Sequence, residues 1–582
     1  MIILGISHLT DPAAGVIVDG ELKAFAEEER FSRLKNSHGM FPGRSVKFCL
    51  QEADISLDQV DAIAVPYDGN FYPLPFLFAM ARKNLARGLR GARAGGFLKN
   101  VRNLTKIALK NSPISIRQDI TEGLLAHGIR GRVPRIEFVD HHLSHAITAG
   151  HFSGFEKALS LVIDGSGEMN ATTLWEYDKG DLRLLDKYEI PDSLGWFYAG
   201  MTEYLGFEPY KDEGKTMGLA PYGNPDAEIL GKISQVLRNT NGRYSIAQEY
   251  LLQGSHTQGL HFSDLLVELL GEHRLPPAPL TQRHKDIAWA TQHLLEEAVK
   301  SIVNKAVEKY GMANICLAGG VALNCKMNGH VLYETKAQEI FVFPSANDSG
   351  SCIGAALHVS GEQAKKKRFK LIHTYYGSSF TADEIHKTLE SCKVPFSRPP
   401  SIAKAVAELL AKGSLVGWFQ GKMEFGPRAL GNRSILANPL LPQVRDLVNH
   451  NVKFRESWRP FCPSVLNEQR TRYLKKDAEA PFMIVAHFLK DEWIHPLCAI
   501  AHRDGSVRPQ TVTREQNPLY HELLQEFAAL TGHGILLNTS LNVKEEPIVC
   551  RPIEAVRCLY GSGLDAMAIG PFLLTKPAKP LG

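Results

Sequence analysis

Two stretches of this chain, roughly 160 residues apart, follow the same plan, and a repeated unit narrows the possible folds more than any single motif. In the first, Ile2-Ile3-Leu4-Gly5-Ile6 reads as a strand that opens into the polar loop Ser7-His8-Leu9-Thr10-Asp11. Ala14-Gly15-Val16-Ile17-Val18 then returns to a turn at Asp19-Gly20. In the second, Ala158-Leu159-Ser160-Leu161-Val162-Ile163 runs into Asp164-Gly165-Ser166-Gly167-Glu168, and Thr172-Thr173-Leu174-Trp175-Glu176-Tyr177 comes back to a Lys179-Gly180-Asp181 turn. Strand, polar loop and strand, twice over, predict a duplicated α/β domain with a cleft between its halves.

The 582 residues allow two large domains or three to four ordinary ones. Apolar positions Ile287, Ala290, Leu294, Ala298, Ile302, Ala306 and Tyr310 share one helical face, so a long helix is expected over 287–310. Residues 361–370 are polar and basic with no core pattern, and the domain boundary is placed there, between 1–360 and 371–582. Beyond it, helix-like and strand-like segments alternate (402–410, 415–419, 518–530, 534–537), predicting a smaller second α/β domain. Lys plus Arg number 66 against 62 Asp plus Glu, too even a balance for a protein built to coat nucleic acid or an anionic membrane. One local exception is residues 81–111, with nine cations from Arg82 to Lys110 and no acid; a solvated basic insert explains it as well as an anionic partner does. Nine cysteines without a C-x-x-C argue for a reduced setting. With no apolar run of membrane length and no signal-like start, a cytoplasmic location is expected.

His141 and His145 lie four residues apart just after a strand-like segment, so one helix face can present both imidazoles to a cation. Asp164 ends the next strand and Asp348 sits in a similar turn, Ser345-Ala346-Asn347-Asp348-Ser349-Gly350. Two histidines and two carboxylates suit Fe(II), Mn(II) or Zn(II), with iron favoured. The glycine loops Gly165-Ser166-Gly167 and Gly319-Gly320, with Asn324 beyond the second, are expected to cradle nucleotide phosphates with their N–H groups. Farther on, Arg428 and Arg433 stand among glycines, and Lys453, Arg455 and Arg459 follow with aromatics between them, as a shaped phosphate or carboxylate pocket requires. Asn538 and Ser540, at the end of a strand, are expected to complete that pocket.

Taken in order, the His8 loop, Glu27-Glu28-Glu29-Arg30-Phe31-Ser32-Arg33, the His141/His145 segment, Asp164-Gly165, Lys215-Thr216-Met217-Gly218-Leu219-Ala220-Pro221-Tyr222-Gly223, the Gly319-Gly320 and Asp348 turns and Phe425-Gly426-Pro427-Arg428-Ala429-Leu430-Gly431 resemble the NodU/CmcH family of O-carbamoyltransferases over nearly the whole chain. The resemblance implies an N-terminal actin-like ATPase (ASKHA) domain and a C-terminal YrdC-like α/β domain. It implies further that carbamoyl phosphate and ATP, with Mg²⁺, give carbamoyl-adenylate in the second domain, and that the first passes the carbamoyl group to a hydroxyl of a sugar, antibiotic or other natural product. In that scheme His8 is the expected base, Lys35 steadies developing negative charge, and His141, His145, Asp164 and Asp348 hold the metal. A tRNA threonylcarbamoyladenosine-type modification enzyme is the competing reading and a non-catalytic nucleotide-binding scaffold a third; a symmetric homodimer is the default assembly.

Overall fold

The computed structural model describes residues 1–68, 112–240, 242–251, 260–456 and 458–576. The basic stretch 81–111 lies outside the described residues.

The first sheet has five strands: β1 (Ile2–Ser7), β2 (Ala13–Val18), β3 (Glu21–Glu27), β4 (Ala62–Val65) and β5 (Arg135–Phe138). They lie in the order β3-β2-β1-β4-β5, with β1, β2 and β3 antiparallel and β1, β4 and β5 parallel. The second sheet repeats this plan with β6 (Lys157–Gly167), β7 (Asn170–Asp178), β8 (Asp181–Glu189), β9 (Asn314–Ala318) and β10 (Glu339–Val342). Its order, read from the same end, is β8-β7-β6-β9-β10, with antiparallel pairs first and parallel pairs after. In both sheets the central strand is a continuous apolar run because both its faces are covered.

Each fifth strand leads into a helix, α1 (His141–Ser153) after β5 and, farther along the chain, α4 (Asp348–Ser360) after β10. These two helices pack across the molecule. A Cβ on Gly354 of α4 would lie 1.8 Å from the Ser144 carbonyl of α1, so only glycine permits the approach. Between them in sequence come the long helix α2 (Gln282–Tyr310) and α3 (Cys325–Glu334). Helix α2 starts five residues earlier than the apolar spacing alone predicts, where Thr281 and His284 cap one another.

The C-terminal part is built on a mixed seven-stranded sheet: β11 (Val416–Phe419), β12 (Arg433–Ala437), β13 (Cys462–Leu466), β14 (Gln510–Val512), β15 (Ile535–Ser540), β16 (Ala566–Ile569) and β17 (Phe572–Thr575), in the order β14-β13-β15-β12-β11-β16-β17. Residues 361–370 are not a bare linker. Glu362–Lys366 is a short helix whose Ala364 is buried, and Lys370 pairs with Ser153. Leu371, Phe425, Leu430 and Phe482 then join the main apolar core of the N-terminal part, so packing runs straight across that stretch. Among the described residues no helix is long and apolar enough to cross a membrane.

Candidate functional site

His141 opens α1 directly after Asp140, whose side chain accepts the Leu143 N–H at 2.7 Å and fixes the helix start. One turn on, His145 faces the same way, its Nε2 3.2 Å from that of His141. Asp164 Oδ2 lies 3.1 Å and Asp348 Oδ1 3.3 Å from His141 Nε2. Two imidazole nitrogens and two carboxylate oxygens thus converge within 4.8 Å of one another. On its far side, His141 Nδ1 sits 3.1 Å from the Pro66 carbonyl, which can only accept, so Nδ1 carries the proton. With Nδ1–H so engaged, the neutral ring would offer an Nε2 lone pair to a cation. Burial opposes charge on His141, but Asp348 and Asp164 outweigh it and hold the imidazole well above its usual value. Burial likewise opposes ionisation of Asp348, and the two histidines hold it well below the carboxylate range. The set calls for positive charge at its centre, and its N₂O₂ donors fit a borderline divalent cation.

The two glycine loops meet at this cluster rather than around an open phosphate cradle. Gly319 (φ +86°) packs so closely that a Cβ would stand 2.3 Å from the Ile163 carbonyl, and the Gly320 N–H is taken by Asp164 Oδ1 at 3.0 Å. Gly165, Ser166 and Gly167 continue β6, and a Cβ on Gly167 would strike the rings of His142 and His141. Asn324 caps α3 and bonds to Gln292. These residues therefore orient the cluster: the phosphate contacts expected of Gly320 and Asn324 are replaced by bonds within the protein.

The first loop also departs from expectation. Among the described residues His8 has both ring nitrogens shut away from water without a partner, and burial lowers its pKa to about 4, which leaves a weak base. Asp11 is the group drawn to the cluster: Asn347 Nδ2 donates to its Oδ2 at 2.7 Å. Burial and the charges of Asp348, Glu29 and Asp164 push Asp11 up to about 8. Nothing in the sequence but its place in a polar loop after a central strand marked it.

Beside the cluster lies a cavity of about 440 Å³ that both parts of the chain line. Arg428, Lys453, Arg455 and Arg459 face it, with Asn538 and Ser540 on its wall and Lys35 exposed at its mouth. Glu29 also lines the cavity and is one of the charges felt by Asp11, so cavity and cluster are linked electrostatically. Burial, then Arg508 and Arg459, press Arg428 down to about 10; burial and Arg459 press Arg455 to about 9. Lys453 is held well below its usual value by burial and Arg455, although it donates to Asn542 Oδ1 at 2.6 Å and the Asn542 carbonyl at 3.1 Å. Crowded cations whose positive charge is discouraged by their surroundings are stabilised by an arriving anion. Arg508, a lone arginine without a sequence signature, completes the group; its Nε and guanidinium NH2 donate to Cys462 Sγ at 3.2 and 3.0 Å.

Arg433 does not belong to this set. It is fully buried on β12, stacked 3.8 Å over the Phe419 ring, and donates to the carbonyls of Gln420 (2.6 Å), Asn432 (2.9 Å) and Ser378 (3.0 Å). Its NH1 and NH2 donors are committed to main chain, which turns the expected ligand-binding residue into a structural one.

Residues 2–357 match the family described as "Carbamoyltransferase N-terminus" and residues 407–576 that described as "Carbamoyltransferase C-terminus". An uncharacterized protein of Synechocystis sp. is 37% identical, covering 99% of this chain and 97% of its own length. Nodulation protein NolNO of Sinorhizobium fredii is 36% identical over 98% of this chain and 79% of its own. The 3'-hydroxymethylcephem-O-carbamoyltransferase of Streptomyces clavuligerus is 29% identical over 71% of this chain and 77% of its own.

Proposed function

The chain belongs to the carbamoyltransferase family, and from that premise we propose that it is an ATP-dependent O-carbamoyltransferase acting on a hydroxyl of a small natural product. We read its paired five-stranded sheets as an actin-like ATPase core, over about residues 1–360, and its seven-stranded sheet as the heart of a YrdC-like domain, over about 371–582. Relatives whose names carry O-carbamoyltransferase activity on a hydroxymethylcephem support the acceptor class.

In this reading carbamoyl phosphate enters the cationic cavity, where Arg428, Arg455 and Arg459 hold its phosphate oxygens and Lys453 adds a fourth charge. Water releases phosphate and leaves carbamate. A carbamate oxygen attacks the α-phosphorus of ATP, the bond to the β-phosphate oxygen breaks, and pyrophosphate departs with Mg²⁺. Two polyanions must approach for this step, and the cations lower that repulsion. Carbamoyl-adenylate then meets the acceptor hydroxyl beside the histidine–aspartate cluster. A C–O bond forms to the carbamoyl carbon, the bond to AMP breaks, and the hydroxyl proton goes to Asp11, which is better placed for it than His8. A divalent cation, when held by His141, His145, Asp164 and Asp348, supplies Lewis-acid polarisation at that carbonyl. Lys35, at the cavity mouth, faces the outgoing AMP.

The observation that carries the reading is a cavity lined by Arg428, Arg455, Arg459 and Arg508 in the same molecule as a converging cluster of two histidines and two aspartates, with Glu29 lining the cavity and its charge felt at Asp11. Its test needs no acceptor: phosphate and pyrophosphate release are followed with ATP, Mg²⁺ and carbamoyl phosphate, each omitted in turn. Pyrophosphate only when carbamoyl phosphate is present is the expected result. Pyrophosphate with threonine and bicarbonate instead would assign the chain to threonylcarbamoyl chemistry, and no release from folded, metal-loaded protein would overturn the adenylation step.

A further inference from the structure

The run Glu27-Glu28-Glu29-Arg30-Phe31-Ser32-Arg33 gives no ligand to the cluster, yet it is among the most heavily bonded segments of the molecule, and its partners lie some 400 residues away. Glu27 Oε1 accepts the Gly426 N–H at 2.6 Å, and Arg30 donates from its NH2 to the Gly426 carbonyl at 2.7 Å. Arg30 is held in turn by Glu29 at 3.0 Å and Glu27 at 3.4 Å. Glu27 is 8% and Arg30 3% exposed. One residue of the C-terminal part is therefore gripped at both its amide and its carbonyl by a buried acid–base pair from the N-terminal part. Arg33 works alike, donating to the carbonyls of Ile548 at 2.7 Å and Pro547 at 2.8 Å.

The gripped residue could not be other than glycine. Its φ is +86°, and a Cβ would sit 2.9 Å from the Pro344 carbonyl, four residues before Asp348. The preceding ring, Phe425, packs edge-on to Phe25 at 5.0 Å and stacks on Phe343 at 5.5 Å. Two residues beyond Gly426 comes Arg428, whose Nε is buried without a partner among the described residues. Apolar contacts such as those of Phe425 tolerate sliding, whereas a two-ended ionic grip fixes register. Its cost in desolvation makes sense only where position matters.

We propose that Glu27 and Arg30 are positioning residues for the anion cavity: by clamping Gly426 they set the place of Arg428, so the donor site assembles only when the two parts of the chain are locked together. The inference rests on the reading of the cavity as the carbamoyl phosphate site. Glu27 does not line the cavity and acts through the loop that carries Arg428, whereas Arg30 also lines the cavity itself.

The test is calorimetric binding of inorganic phosphate to the full chain, together with the KM for carbamoyl phosphate and a thermal melt. Glu27→Ala should weaken phosphate binding about tenfold in the folded protein, since a misplacement near 1 Å already costs that much or more. Arg428→Ala should weaken it at least as far, and the double variant no further than Arg428→Ala alone, because Glu27 acts through Arg428. Glu27→Gln, whose amide oxygen still accepts from Gly426, should stay within about threefold of the parent. A merely structural Glu27 would lower the melting temperature and the active fraction but leave the phosphate Kd of the folded fraction unchanged. That outcome, or additive effects in the double variant, overturns the proposal. If Glu27→Ala does not fold, Glu27→Asp decides: its shorter carboxylate cannot reach the Gly426 N–H from the same backbone, so weakened phosphate binding supports the clamp and parental binding overturns it. Phosphate binding indifferent to Arg428→Ala would refute the donor-site reading and the clamp with it, whereas an indifferent Glu27→Ala beside a defective Arg428→Ala removes the clamp alone.

Discussion

Replacing Gly167 with alanine should strip the histidine–aspartate cluster of its cation without unfolding the protein. An alanine Cβ at 167 would lie 2.5 Å from His142 Cδ2 and 2.6 Å from His141 Cδ2. Non-bonded carbons settle about 3.5 Å apart, so the His141 ring must retreat by about 0.9 Å. Ligand distances at a metal hold to within about 0.2 Å, and such a retreat takes Nε2 out of the set. Loss of a second-shell partner alone costs 10- to 100-fold in metal affinity, so losing one of four ligands should cost at least about 100-fold, or ~2.8 kcal/mol. The same strand supplies the control. A Cβ on Gly165 would meet only the Trp196 indole, at 3.5 and 3.6 Å, which is ordinary contact. Gly165→Ala should therefore bind metal like the parent. Each protein is dialysed against chelator, titrated with Fe(II), Mn(II) and Zn(II), and assayed for bound metal by mass spectrometry, with a thermal melt to show that it is folded. Parental affinity in folded Gly167→Ala, or equal loss in Gly165→Ala, would refute the assignment of these four residues as a metal set.

Arg433→Ala should act on stability rather than on substrate binding: the Gln420 carbonyl loses its donor, while those of Asn432 and Ser378 keep only the Gln420 and Met423 N–H groups, a loss of at least about 1 kcal/mol seen in denaturant unfolding. An intact unfolding midpoint with a raised KM would restore Arg433 to the site. Asp11→Asn should abolish carbamoyl transfer to the acceptor while pyrophosphate formation persists, measured as the ratio of carbamoylated product to pyrophosphate; an unchanged ratio would return the proton to another group. Burial raises the Glu213 carboxyl to about 7 from 4.5, the neighbouring Asp212 and Glu208 charges adding to the effect. A carboxyl whose folded pKa is raised keeps its proton longer than in the unfolded chain, so its contribution to stability is full below pH 4.5 and is lost as pH rises toward 7. Glu213→Gln should flatten that part of the stability–pH curve, and an unchanged slope would show that Glu213 ionises freely in the fold.

The convergence of His141, His145, Asp164 and Asp348 was legible from the chain because each member sits at a local landmark: a helix start after a strand for His141 and His145, near a strand end for Asp164, a helix start for Asp348. The long helix and the C-terminal alternation were legible for the same reason, since periodicity is local. Asp11, Glu29 and Arg508 were not, because what recruits them is the meeting of segments hundreds of residues apart. Arg433 misled for another reason. An arginine in a glycine-rich basic run looks the same whether its donors face a ligand or main chain, and only its pairing opposite Phe419 turns it inward. The glycine loops misled similarly: Gly320 does present its amide, but to Asp164.

The matching sheets place Asp11 after β1 and Asp164 near the end of β6, and His141 after β5 and Asp348 after β10. Equivalent positions of the two copies thus converge on one spot. An ion held there would be shared by both copies, His141 and His145 from one and Asp164 and Asp348 from the other, so its binding would tie the two copies together.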